Sequence, residues 1–262
     1  RDQARFYIEH AGADFAAYQA EHDSYYQAVD RLMDKVAPLG RVHLIERGFL
    51  PTYLFTEKDL VVTIGQDGLV VNAAKYLDGQ PIVAVNPDPA RIDGVLLPFR
   101  VEDAPAAIVR VLDGQAGMRR IVMARAQLND GQQMLAFNDL FIGVRSHTSA
   151  RYLLSYGDQS EPQSSSGIIV STGAGSTGWL SSLFNMAAGV NRLLRGDGSV
   201  ADGAGAVTMA WEEERLVFVV REPFVSKTSS AGVVAGVITP GAELVLESRT
   251  PEGGVIFSDG VE

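Results

Sequence analysis

Cysteine is missing altogether, which removes disulfides, thiolate metal sites and cysteine nucleophiles and fits a reducing interior. Histidine is scarce. His10, His22, His43 and His147 are scattered, with no i,i+4 pair and no acid at metal-ligand spacing, so a fixed protein metal site is not expected. Basic side chains are outnumbered, 22 against 32 acidic ones, leaving a net charge of −10. Such a chain offers no broad surface for nucleic acid and no attraction to anionic lipid. No apolar stretch approaches the roughly 20 residues of a bilayer span, so no membrane partner is expected. There is no repeat of the solenoid kind. The chain begins at Arg1 rather than at a methionine, and the expected compartment is the cytoplasm, with an upstream targeting segment left open.

What is present is an ordinary globular composition, 46% apolar and 21% charged over 262 residues, enough for one large domain or two packed lobes. The pattern favours two lobes. Tyr25, Val29, Leu32, Met33 and Val36 recur at three and four, which predicts an amphipathic helix over 24–36 that ends at Pro38-Leu39-Gly40. Strands are expected at 42–45, where His43 would be half-buried, and at 60–64, a helix at 69–76, and a buried strand at 81–85. That alternation implies parallel crossovers. After about residue 100 the texture becomes short apolar runs separated by Gly, Asn, Asp and Ser. Strands are predicted at 119–126, 135–143, 150–156, 167–172, 216–220 and 243–248, with one helix at 177–194. The Gln/Ser-rich stretch 157–166 reads as a loop and 196–205 as a glycine-rich surface connection. The expected division is an α/β lobe over 1–100 and a β-rich lobe over 101–262, with the option that the final residues pack back on the first.

Two glycine-flanked turns carry the chemistry. Gly65-Gln66-Asp67-Gly68 follows the apolar run Leu60–Ile64 and precedes a helix-like segment, so backbone N–H groups and a helix N-terminus are available to an anion. A carboxylate there can orient a hydroxyl and take its proton late in phosphoryl transfer. The same composition also makes an ordinary turn. Asn86-Pro87-Asp88-Pro89 is a turn directly after the next strand, and ligands collect outside such carboxyl-terminal strand ends, so the two turns are expected to share one crevice. Gly173-Ala-Gly-Ser-Thr-Gly178 matches Gly-x-Gly-x-x-Gly after a strand and before a helix. It lies in a β-rich half, and no second parallel strand ends at Asp197, so a Rossmann oxidoreductase ranks low. The plain alternative is N-capping by Ser176 or Thr177, worth about 1 kcal/mol. Asn138-Asp139 interrupts an apolar run, and burying either without a partner costs about 1–3 kcal/mol, so the pair reads either as facing a ligand or as a β-bulge or strand-edge turn. Trp179 adjoins the glycine turn and is either core or a surface for a base.

Taken in order, Gly65-Gln-Asp-Gly68, Asn138-Asp139 and the segment from Gly167 to Trp179 resemble the NAD kinase family, with its GGDG, Asn-Glu and Gly-rich Ser-Thr motifs. Asn86-Pro-Asp-Pro-Ala-Arg91, Phe141-Ile-Gly143, Ser164-Ser-Ser-Gly167, Arg221-Glu-Pro223 and the closing Ser258-Asp-Gly260 look closest to its mitochondrial-type branch. The resemblance implies an α/β + β fold, a Rossmann-like N-terminal lobe and a C-terminal β-sandwich lobe that clasp the dinucleotide. It implies phosphorylation of the 2′-hydroxyl of the adenosine ribose of NAD by ATP or polyphosphate with Mg²⁺, and a homodimer. By position, Asp67 would engage that hydroxyl and Gly65, Gln66 and Gly68 would line the donor phosphates. Asn138 and Asp139 would contact NAD, with Thr177, Gly178 and Trp179 around its adenine or ribose, and Ser166 stands where many members have Asp. Gln66 replaces the second glycine of GGDG and Leu69 a threonine; a left-handed backbone at 66 would cost a glutamine roughly 1–2 kcal/mol. The alternatives are a related lipid or sugar kinase, and a non-catalytic dinucleotide-binding protein in which those two replacements have removed donor binding.

Overall fold

The computed structural model describes His10 and residues 15–195 and 208–260, so the expected connection at 196–205 lies outside the described residues. The chain divides into two compact units, Arg1–Met118 and Arg119–Glu262. The division falls after Met118 rather than after residue 100. The reason is the helix α3 (Ala104–Leu112), whose Ala104 and Ile108 are buried in the first unit's core.

In the first unit, β1 (Val61–Ile64), β2 (Ile82–Asn86) and β3 (Phe99–Arg100) form a parallel sheet in that order. Successive side chains of β2 point to opposite faces. Val83 and Val85 pack with Leu32 and Val36 of α1 (Phe15–Val36) and with α3, whereas Ala84 packs with Val70 of α2 (Asp67–Ala74) and with Leu97. Helices on both faces explain why both strands read as continuous apolar runs. Helix α1 begins at Phe15, earlier than its apolar spacing announced. The strand expected at 42–45 is absent. Val42 and Leu44 are exposed and His43 lies outside any element, because no described strand supplies the ladder partner that an isolated apolar run needs.

In the second unit, a five-stranded antiparallel sheet has the order β11 (Ala235–Ile238), β10 (Leu216–Val220), β9 (Ile168–Ser171), β6 (Asp139–Val144) and β13 (Gly254–Ser258). A three-stranded sheet has the order β12 (Leu244–Ser248), β7 (Ala150–Tyr156) and β8 (Gln159–Ser165), and β4 (Ala124–Gln127) pairs with β5 (Gln133–Ala136). One apolar core joins them: Leu140, Ile168, Val170 and Phe218 of the first sheet meet Tyr152 and Leu154 of the second and Ala124 and Ala136 of the pair. This is a β-sandwich, with α4 (Trp179–Arg195) placing Leu180 and Phe184 against Val217 and Val219 of β10.

The loop expected at 157–166 is instead β8. Gly157, at φ +56°, turns the chain into a hairpin in which Tyr152 faces Gln163. Its two buried polar residues have partners, since the Tyr152 hydroxyl bonds Ser165 Oγ at 2.6 Å and Gln163 Nε2 donates to Val233 O at 2.8 Å. Composition alone reads such a strand as solvated. The single strand expected at 135–143 is two, broken by a corner at Phe137-Asn138. The end of the chain joins the second unit's sheet, β13 pairing with β6 from Gly254↔Val144 to Ser258↔Leu140. Leu154 is fully buried at the centre of the sandwich, so Leu154→Ala is expected to cost about 2–5 kcal/mol in a denaturant melt.

Candidate functional site

In the first unit, β1 ends at Ile64 beside Val85 of β2, and Gly65 N donates back to Val85 O at 3.3 Å. Tyr25 Oη donates to Ile64 O at 3.2 Å, which fixes the strand end from α1. Gln66 caps α2 with φ −85° and ψ 166°, and its side chain is exposed. The glutamine therefore sits in extended backbone and carries none of the strain that a left-handed position would impose. Gly65 has a steric reason to be glycine, since a Cβ there would lie 3.0 Å from Leu69 Cδ2, whereas Gly68 faces open space.

Asp67 occupies the first turn of α2, where a carboxylate is favoured by the helix dipole. Its Oδ1 accepts Leu96 N–H at 2.7 Å, and Oδ2 accepts no hydrogen bond among the described residues. The loop after β2 is tied down by Asn86, whose Nδ2 donates to Ile92 O at 2.9 Å while Oδ1 accepts Asp88 N–H at 3.0 Å. Gly94, at φ +64°, is needed there because a Cβ would lie 2.7 Å from Asn86 Nδ2. The turns at 65–68 and 86–89 are thus adjacent at the carboxyl ends of paired strands.

In the second unit, the Asn138-Asp139 corner is the centre of a backbone network. Asp259 Oδ1 accepts Asn138 N–H at 2.7 Å and Asp139 N–H at 3.2 Å, and its Oδ2 accepts Phe137 N–H at 3.0 Å. From the other side, Thr172 N donates to Asn138 O at 2.9 Å and Thr172 Oγ1 to Phe137 O at 2.6 Å. The same hydroxyl oxygen accepts Gly175 N–H at 3.2 Å. A Cβ on Gly175 would lie 2.2 Å from Asn138 O and one on Gly173 2.0 Å from Ala210 O. These two glycines are therefore required by the chain's own backbone. Ser176 does not cap α4; it is buried, donating to Gly173 O at 2.7 Å and accepting Met209 N–H at 3.1 Å. Thr177, Gly178 and Trp179 are exposed beyond it.

Alternation along β6 puts Leu140 in the sandwich and Asp139, Phe141 and Gly143 on the opposite face. There Phe141 stacks between Trp179 and Phe257, each centroid 5.9 Å away at 18°. The Arg221 guanidinium lies 5.4 Å from the Trp179 ring. Gly143 and Gly167 make room for the Phe141 ring, which a Cβ at either would meet within 2.5 Å. Ser166 Oγ donates to Glu222 at 2.5 Å and its N–H to Arg221 O at 3.0 Å, next to this ladder. Phe141, Thr172 and Arg221 were visible only within longer similar segments, and Phe257 carried no signal in the sequence.

Asp139 Oδ1 is buried without a hydrogen bond, and the adjoining Asn138 side chain is partly buried. Burial, then the neighbouring Asp259 charge, pushes the Asp139 carboxyl up to about 6 from 3.8. Unsatisfied buried carboxylates are uncommon, and a ligand donor is a sufficient reason for one.

No protein-family model matches the chain. Its sequence is 27% identical over 160 residues to NAD kinase 2 of Geobacillus kaustophilus, covering 59% of this chain and 58% of that protein. It is 27% identical over 121 residues to the NAD kinase of Saccharolobus solfataricus, covering 46% of each. The matches thus span about half the length of these relatives. Yeast NADH kinase, solved with NADH, superposes with a TM-score of 0.53 at 15% identity, over 78% of this chain and 53% of that one. The fold class is therefore an α/β unit followed by an antiparallel β unit, shared with a dinucleotide kinase. The resemblance to the NAD kinase family read from the motifs holds in both sequence and fold.

Asp139 binds its proton more tightly folded than unfolded, so it lowers stability as pH rises from about 4 to about 6 and keeps it lowered above that. Asp139→Asn is expected to raise unfolding free energy by on the order of 1–3 kcal/mol at pH 8 and to change it little near pH 4, checked by urea melts at both values.

Proposed function

We propose that this chain is an NAD kinase, transferring the terminal phosphoryl group of ATP or polyphosphate to the 2′-hydroxyl of the adenosine ribose of NAD. The observation that carries the reading is the pairing of sequence similarity to NAD kinases with an aspartate held at the carboxyl end of β1. Asp67 is assigned to that hydroxyl: the bond to Leu96 N–H holds Oδ1, leaving Oδ2 to accept the hydroxyl proton as the oxygen attacks phosphorus. The oxygen gains the P–O bond, the donor's bridging oxygen leaves with its electron pair, and the proton passes to the carboxylate late, where orientation counts for more than basicity. The N–H groups of Gln66, Asp67 and Gly68, at the start of α2, suit phosphate oxygens.

The Asn138 amide and Asp139 carboxylate are assigned to hydroxyl and amine donors of NAD, and the exposed Thr177, Gly178 and Trp179 to its adenine or ribose. Ser166, whose N–H donates to Arg221 O, is assigned to the same ligand. Among the described residues no three His, Asp or Glu side chains converge on a metal position. Mg²⁺ would arrive with the donor phosphates and offset the charge that develops on them. The extended backbone of Gln66 favours a working donor turn over a disabled one. A homodimer is part of the proposal, on the family resemblance alone.

The test incubates the chain with NAD, MgCl₂ and either ATP or polyphosphate and follows NADP with an NADP-specific dehydrogenase. Asp67→Asn keeps an oxygen for Leu96 N–H, so the fold should survive while turnover falls by about 10²–10⁴-fold. Turnover within about threefold of wild type would remove Asp67 from the mechanism, and no NADP with either donor would remove the kinase reading.

A further inference from the structure

Asp259 lies at the end of the last strand, more than a hundred residues from the corner that it holds. Its backbone is in the left-handed region at φ +52°, uncommon outside glycine. That conformation turns its carboxylate back across β6, where it gathers the N–H groups of three consecutive residues, Phe137, Asn138 and Asp139. Asp259 N–H in turn donates to Asp139 O at 3.0 Å, and Ser258 Oγ donates both to Leu135 O at 2.5 Å and to Asp259 Oδ2 at 3.2 Å. Charge-assisted bonds of this kind are about twice as strong as neutral ones and fix the backbone that presents the side chains. What the corner presents is the partly buried Asn138 side chain and an Asp139 oxygen that is buried without a partner.

We propose that Asp259 is the positioning residue of the dinucleotide site, locking the Phe137–Asp139 backbone so that Asn138 and Asp139 meet NAD preorganised. The inference rests on the dinucleotide reading above. A preorganised pair saves the ligand the cost of ordering the corner, so its loss appears in affinity. Asp259 has a second effect, through charge. It is the charged group that acts on the Asp139 carboxyl. The residue opposite Asp139 on β9 is Ser171, which carries no charge. Removing the Asp259 charge therefore shifts the Asp139 titration toward acid, an outcome that a purely structural staple would not produce.

The experiment compares the full chain with Asp259→Asn. Asparagine keeps one acceptor oxygen but sets an amide donor against one of the three N–H groups. NAD affinity by calorimetry is expected to fall by about tenfold or more. The Asp139 carboxyl, followed by carbon-13 titration, is expected to titrate below its wild-type value of about 6. Amide exchange should quicken at 137–139 and stay slow at Ile169 and Phe218 in the sandwich. Wild type that binds NAD beside a variant within about threefold in affinity, with the same midpoint, would overturn the role of Asp259 alone. Wild type that binds no NAD would overturn the dinucleotide reading and this one with it. If Asp259→Asn does not fold, amide exchange at 137–139 is read in wild type. Fast exchange at the corner would overturn the proposal, and slow exchange there would support it.

Discussion

The corner at Phe137–Asp139 is held from two sides by groups far from it in sequence. Asp259 takes its three N–H groups and Thr172 bonds two of its carbonyls, so the chain's last strand and the strand before the glycine turn meet on one backbone segment. Much of the second unit follows from that meeting. Strand β6 starts at Asp139 with β9 on one side and β13 on the other, and alternation from there sends Leu140 into the sandwich and Phe141 onto the aromatic ladder. Gly175 is glycine because the corner's carbonyl occupies the space of its Cβ. A bulky residue at that point would separate the glycine turn from the corner and with it Trp179 from Phe141.

The first unit is governed by a different constraint. A short parallel sheet covered on both faces leaves only its strand ends accessible, and Asp67 stands at one of them. Its Oδ1 is spoken for by Leu96 N–H, which orients the carboxylate without burying it. The two units illustrate opposite uses of an aspartate. Asp67 is held on a helix start, whereas Asp139 has one oxygen buried without a partner, and burial followed by the neighbouring Asp259 pushes its carboxyl up to about 6. The Asp139 carboxyl thus carries a cost in stability once it ionises.

Several elements were legible because their signal is local. The buried strands at 61–64 and 82–86, the helix that follows Gln66, and β7 and β10 all announce themselves through apolar runs or glycine punctuation. The glycine turns marked where to look for chemistry. Others were misread because the deciding group is remote. The run at 42–45 looks like a strand but has no described neighbour to complete its ladder, while the polar 159–165 segment becomes a strand because Tyr152 and Val233 satisfy its buried residues. Gln66 looked strained by comparison with a glycine, yet its φ of −85° suits any residue.

The sequence by itself determined the sequential order of parallel and antiparallel halves, the two glycine-flanked turns and the identity of Asp67 as the carboxylate on the first. These depend on periodicity and on residues adjacent in the chain. Only the tertiary structure decided that Gly173 and Gly175 serve backbone packing, that Phe141 joins Trp179 and Phe257 in one ladder, and that Asp259 holds Asn138 and Asp139. Each of those facts is a contact between segments distant in sequence, set by strand register and close backbone approach, neither of which residue spacing along the chain records.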